Sequence, residues 1–343
     1  MPPLLRALLA AVLFGASAPA SKIMLAGIEP LQLAGLLYLG AALGVAPWAL
    51  RARRVRRARL SGTNRRRLAT AVIFGGVLGP VLLLSALQRA AAGSVSLLLN
   101  LEIVATAVVG VAFFREHLGK SGWLGMASIL GGGILISSGG GTPGLVAGVL
   151  AAAACACWGV DNNVTALIDG LSPAETTFWK GLVAGSTNLV LGLLLAPLPA
   201  SPASIPAAIA VGMFGYGASI ALYISAAQQI GATRSQAAFA SAPFAGAALS
   251  FALLREPFTS AEILAGLLFA LGVYLSFLDR HEHEHTHEEC SHTHSHGHDD
   301  GHHGHDHVGL PRGTVHAHEH EHAHARGTHT HRHLPDLHHR HGH

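Results

Sequence analysis

Two stretches decide how this chain folds: FFREHLGKSGWLGMASILGGG at 113–133 and LLREPFTSAEILAGLLFALGV at 253–273. Laid over one another they align without a gap at a shift of 140, which brings Arg115 onto Arg255, Glu116 onto Glu256 and Gly132 onto Gly272. The match runs back through Gln88 and Gln228 and through Ala92 and Ala232. A looser one sets FGAS (14–17) over WGVD (158–161) and Pro30 near Pro173. Alanine matches carry little weight in so alanine-rich a chain. An Arg-Glu pair between two apolar runs carries more, and an internal repeat is the first thing to settle in any fold.

The material between the repeat motifs is membrane material. Half of the residues are hydrophobic and 12% are charged, against about 25% charged in a typical soluble domain. Apolar runs near 20 residues follow one another through the first 280 positions, and about 20 helical residues cross a bilayer core of about 30 Å. The pattern predicts ten spans, at 4–25, 30–50, 68–88, 94–114 and 121–138, then 144–164, 176–196, 205–227, 234–254 and 260–278. The opening MPPLLRALLAAVLFGASAPASK also has the form of a signal peptide with a small-residue cleavage site near Ala18. The repeat favours an uncleaved first span, which completes five spans per copy. The expected fold class is therefore an all-α membrane protein with ten transmembrane helices in two inverted five-helix repeats. The expected domains are 1–138, 144–279 and a His-rich, disordered tail at 280–343.

An odd number of spans per copy turns the second copy upside down, so equivalent loops should differ in charge. Nine arginines lie between Arg51 and Arg67, in the loop after the second span, and the counterpart loop APLPASPASIP (196–206) has no charge. Arg and Lys gather on the cytoplasmic side, which puts the Arg loop, the N-terminus and the C-terminal tail inside, with Arg115, Lys120 and Arg234. Arg89 and Arg255 fall outside as exceptions. A basic run can also bind nucleic acid, but between two apolar spans it reads as a cytoplasmic loop, so no nucleic-acid partner is expected. The expected localisation is the inner (plasma) membrane.

Inverted repeats of this kind mark secondary transporters, whose site lies near the midplane between the copies. The five-plus-five layout and the boundary motifs FFREHLG (113–119) and LLREPFT (253–259), followed by glycine-rich helices, resemble EamA-type members of the drug/metabolite transporter superfamily. LLLNLEIVATAVVG (97–110) is similar to that family's fourth-helix pattern, in which Leu-Glu is commonly followed by Pro. This chain has Ile103 there, while the second copy keeps Pro243. The resemblance covers about 1–279 and implies a fold and a transport class, not a cargo. The His-rich tail is no part of it.

Ionisable groups inside a span are costly and point to function. Glu102, with Asn100 nearby, is the first candidate: it binds a cation or carries a coupling proton, or it pairs with a neighbour and specifies packing. The resemblance speaks for packing, since the family often has a Glu here whatever the substrate. Asp161, Asn162 and Asn163 follow Trp158 and either line a cavity or face cytoplasmic water. Lys22 and Lys180 sit near span ends, where long side chains reach outward. Tyr216, Tyr223 and Gln228, with Gln88, supply hydrogen bonds inside the bundle. Glu116 and Glu256 read as helix-start features. Cys155 and Cys157 point about 200° apart on a helix and make no metal site. No paired carboxylates or His-based motif suggests an enzyme, and no nucleotide motif suggests ATP as the energy source.

The tail holds 24 of the 25 histidines, His117 being the other, and ten of the 19 acidic residues against four arginines. Neutral imidazole binds Zn, Ni, Co and Cu. The candidate ligands are His281, His283, His285, His287, Cys290, His292, His294, His296, His298, His302, His303, His305 and His307. Alternating H-x-H spacing suits several exchangeable ions rather than one rigid tetrahedral site. A solvated low-complexity extension and a pH-responsive charge are the competing readings. No cofactor is expected to be required. The leading reading is a transporter of a small solute with a tail that binds divalent metals. Its alternatives are a divalent-metal (Zn/Ni/Co) transporter and a membrane-anchored metal buffer or sensor. Expected partners are the cargo, the bilayer and metal ions, and a homodimer is among the assemblies this reading admits.

Overall fold

The computed structural model describes residues 1–55, 60–114, 118–165, 167–168, 171–197, 203–230 and 238–278, and the backbone of four short segments between 282 and 332. Among the described residues the first unit contains ten helices in chain order: α1 Pro3–Met24, α2 Pro30–Val55, α3 Gly62–Arg89, α4 Ala92–Phe114, α5 Lys120–Gly139, α6 Gly141–Thr165, α7 Pro173–Leu195, α8 Ser204–Ile230, α9 Ala242–Leu254 and α10 Ser260–Leu278. Eight are long and apolar enough to cross a membrane, and α9 and α10 are shorter apolar helices. The ten expected spans thus each have a helix. For the ninth, residues 234–237 lie outside the described ones.

Local signals start these helices. Ser61 caps α3 by accepting from the Asn64 amide at 3.1 Å. Ser172 and Glu175 form a reciprocal capping box ahead of α7, with Pro173 at the first helical position. Thr259 and Glu262 do the same at α10, the Thr259 amide donating to Glu262 at 2.8 Å and the Glu262 amide to Thr259 Oγ1 at 3.2 Å.

The packing obeys the repeat. Helix α2 crosses α7 and α5 crosses α10, each the counterpart of the other. A Cβ on Gly125 would lie 2.7 Å from the Gly272 carbonyl, and one on Gly272 would lie 2.6 Å from the Gly125 carbonyl. Two backbones come that close only where side chains are absent. The first helix of each copy crosses to the other copy: α1 packs on α8 and α9, while α6 packs on α3 and α4. The crossing points match in detail. A Cβ on Gly15 would meet the Ala242 carbonyl at 2.4 Å, and one on Gly159 the Ala105 carbonyl carbon at 2.7 Å. The bundle core therefore consists of two look-alike halves, an α6 half (α3, the second segment of α4, α6) and an α1 half (α1, α8, α9), with the first segment of α4, Ala92–Leu98, lying against α9 and α1.

The correspondence extends to irregularities. Helix α3 turns π-helical over Val72–Leu78 and α8 over Gly212–Ala218, again at a shift of 140. Helix α4 breaks at Leu99–Asn100, and a turn at Ala240–Ser241 precedes α9 at nearly the same offset. Breaks of this kind expose backbone groups at the membrane midplane, where transporters build sites.

The second unit, Arg280–His333, is described by its backbone at β1 Glu282–His287, β2 Cys290–His296, β3 His318–His324 and β4 Gly327–Arg332. Strand β1 pairs antiparallel with β4 and β2 with β3. The strict His-x-His alternation of these segments has the two-residue period of a strand. None of them carries an apolar face able to build a core.

Candidate functional site: a polar cluster around the π turn of α3

The turn begins from a missing hydrogen. Within α3 the Gly79 amide donates to the Phe74 carbonyl, five residues back. The carbonyl of Gly75 would next look to position 80, which is proline and has no N–H. A buried carbonyl needs a donor, and two side chains supply one. Tyr38 from α2 donates its hydroxyl at 2.6 Å and Trp158 from α6 its indole N–H at 3.1 Å. The next carbonyl, Gly76, has Pro80 at its α-helical partner position. It accepts from Asn188 Nδ2 of α7 at 3.2 Å. Pro80 thus draws α2, α6 and α7 around one turn of α3.

Charged groups gather at the same turn. Asp161 of α6 and Lys180 of α7 form an ion pair at 2.5 Å, with side chains 6% and 16% exposed. Asp161 also accepts from Thr165 Oγ1 at 2.9 Å. A Cβ on Gly75 would overlap the Asp161 carboxylate at 1.9 Å, so this glycine makes room for it. One residue further along α6, Asn162 donates to Glu102 of α4 at 2.8 Å and to Thr106 Oγ1 at 3.2 Å. Glu102 is half-buried and Asn162 exposed, so this edge of the cluster is open. Asn163 holds α6 to α4 through the Thr106 carbonyl at 2.9 Å.

The sequence candidates sort by position. Glu102, Trp158, Asp161 and Asn162 come together in the α6 half. Of the three polar residues after Trp158, Asp161 and Asn163 are buried rather than facing water. Asn100 is buried at the α4 break, where Nδ2 donates to the Leu97 carbonyl at 2.8 Å and Oδ1 has no partner among the described residues. Tyr216 belongs to the other half and meets Tyr38 and Phe14, each with ring centroids 5.7 Å apart. Gln88 is exposed in the last turn of α3. The Gln228 side chain, His117, Glu116 and the side chains of the tail lie outside the described residues. Two residues were undervalued in the sequence. Lys180 reads as a snorkelling lysine until Asp161 is placed beside it, and Tyr38 has no signal beyond a lone tyrosine in LLYLG.

Comparison with known proteins bears on the whole arrangement. The chain matches the EamA-like transporter family over residues 1–138 and again over 145–278. The chain belongs to the EamA-like transporter family. An uncharacterized transporter of Methanothermobacter thermautotrophicus is 28% identical to this EamA-like chain over 291 residues, covering 78% of it and 84% of the relative. A crystal structure aligns with a TM-score of 0.60 at 16% identity, over 80% of this EamA-like protein and 97% of the other chain, which speaks for the fold alone.

Proposed function

We propose that this EamA-like protein is a secondary transporter that moves a small organic solute by alternating access, and that the cluster around Gly75 forms the polar wall of its binding region. The observation that carries this reading is the gathering of Glu102, Asn162, Asp161, Lys180, Trp158 and Tyr38 at an irregular turn inside the bundle, between helices of both repeats. Asp161 and Lys180 neutralise one another. Glu102 has a neutral partner in Asn162 and is the group that takes a proton or a cationic moiety of the cargo, coupling flux to a gradient. The Arg loop, both termini and the tail lie in the cytoplasm, and the membrane is the inner (plasma) membrane.

The tail acts as a cytoplasmic metal-binding element that modulates transport. Its support is the 24 imidazoles with interspersed carboxylates and Cys290. Transport of a divalent metal itself has less support. Among the described residues no three His, Cys, Asp or Glu side chains gather into a metal-ligating group.

The test is a solute screen in proteoliposomes with an imposed pH gradient. Wild-type flux should respond to the gradient, and Glu102→Gln should keep exchange while losing that response. Equal gradient response in both proteins would remove Glu102 from coupling. Deleting 281–343 should leave flux intact and abolish its response to added Zn or Ni. Loss of flux on deletion would move the tail into the transport path.

A further inference from the structure

The hairpin tip joining α3 to α4, around Ala90–Ala91, is held at both of its helix ends by the α1 half. From the connection between α9 and α10, Glu256 accepts from the Ala92 amide and the Gly93 amide, each at 2.9 Å. From the last turn of α1, Lys22 donates to the Ala90 carbonyl at 2.9 Å and also to the Leu87 carbonyl. The carboxylate thus sits on the first amides of α4 and the ammonium on the last carbonyls of α3. Each charge matches the sign of the helix end it meets. Ser94, in the first turn of α4, donates to Glu262 at the start of α10.

These contacts join the two halves at one face of the membrane. Helix α3 and the second segment of α4 pack on α6, while the first segment of α4, Ala92–Leu98, lies against α9 and α1, so the tip is where the two sets of helices meet. A carrier that alternates between faces must release such ties when that face opens. In sequence Glu256 aligns with Glu116, which lies outside the described residues. Lys22 has no charged counterpart, since the shift of 144 that relates α1 to α6 puts Ala166 there.

We propose that Lys22 and Glu256 are positioning residues that form a two-point latch on the α3–α4 tip, closing this face. The inference rests on the alternating-access reading above. Two points of attachment bias the resting transporter towards closure at this face.

Hydrogen exchange of the full-length protein in lipid nanodiscs, without cargo, tests the latch. In Glu256→Gln and in Lys22→Met, amides at 90–96 should exchange at least tenfold faster than in wild type. Amides at 63–70, on the opposite face, should exchange more slowly as that face closes. Charge-preserving Lys22→Arg should keep the wild-type pattern. Amides at 125–137, in the α5–α10 crossing, should stay protected in all variants and so report an intact fold. If Glu256→Gln does not fold, Lys22→Met carries the same expectation. A change confined to the first turn of α4 would make Glu256 a plain helix cap and overturn the proposal, as would no change at all. Exchange is read without cargo, so an empty solute screen leaves this result standing.

Discussion

The two halves of the bundle share one backbone plan and little of its chemistry. Where the α6 half has Trp158, Asp161 and Asn162, the aligned positions of the α1 half are Phe14, Ser17 and Ala18. Glu102 aligns with Ala242. Both halves have a π turn at the same offset, yet they satisfy the displaced carbonyl differently. Gly75 is served from two other helices, by Tyr38 and Trp158. Gly215, its repeat-mate, accepts from Ser219 Oγ of its own helix at 2.5 Å, and position 220 is isoleucine, which keeps its amide. In place of an ion pair the α1 half has rings: Phe14 and Tyr223 each lie against Phe239, at 5.5 and 5.0 Å. Duplication set the frame, and one half took up the polar groups while the other stayed aromatic.

The largest test of this division is the ion pair. Removing one partner of a buried pair leaves the other charge uncompensated and costs about 3–5 kcal/mol. Lys180→Met should lower the unfolding free energy of the full-length protein in mixed micelles by that order, and adding Asp161→Asn should recover part of the loss. The matching change in the other half, Ser17→Ala, removes a bond to the Phe14 carbonyl within its own helix and should cost about 1 kcal/mol. Equal losses would erase the distinction.

Next come the paired glycines. Gly75→Ala drives a methyl into the Asp161 carboxylate, whereas a Cβ on Gly215 would sit 3.0 Å from Ser17 Cβ and meet nothing closer. Overpacking costs about 1–3 kcal/mol, so Gly75→Ala should fall in that range and disturb flux. Gly215→Ala should cost less than half as much in the same assay. A reversal of that order would mean that the two π turns are not equivalent in packing.

The smallest expected effect sharpens the comparison most. Tyr38→Phe leaves Trp158 on the Gly75 carbonyl and should cost about 1 kcal/mol. Pro80→Ala restores an amide to α3, after which Tyr38→Phe should cost measurably less. Additive losses in this double-mutant cycle would show that the proline is not what recruits the tyrosine.

Much of the frame was legible from residues alone. The 140-residue shift, the ten apolar runs and the odd span count per copy follow from apolar periodicity and from the Arg-Glu motif. The π turns were not read, although GGVLGP at 75–80 holds the glycines and the proline that make one. A sequence shows that a proline removes a donor but not which carbonyl goes wanting. Glu256 is a helix-start feature, but for α4 of the other repeat rather than for its own helix. In sequence Lys180, a lysine near a span end, looks the same whether it reaches out to water or inward to a carboxylate on another helix. Long-range partners across antiparallel copies leave no local trace.

The crossing of α1 and α6 has a consequence for how the protein is made. A chain that has left the ribosome only as far as α5 holds α3 and α4 without the α6 that packs on them, and α1 without α8 and α9. Neither copy can reach its native packing by itself, so biogenesis has to keep the first five helices in a waiting, incompletely packed state until the second five insert. Expressed as two separate pieces, 1–140 and 141–343 should each be degraded alone and protect one another when made together.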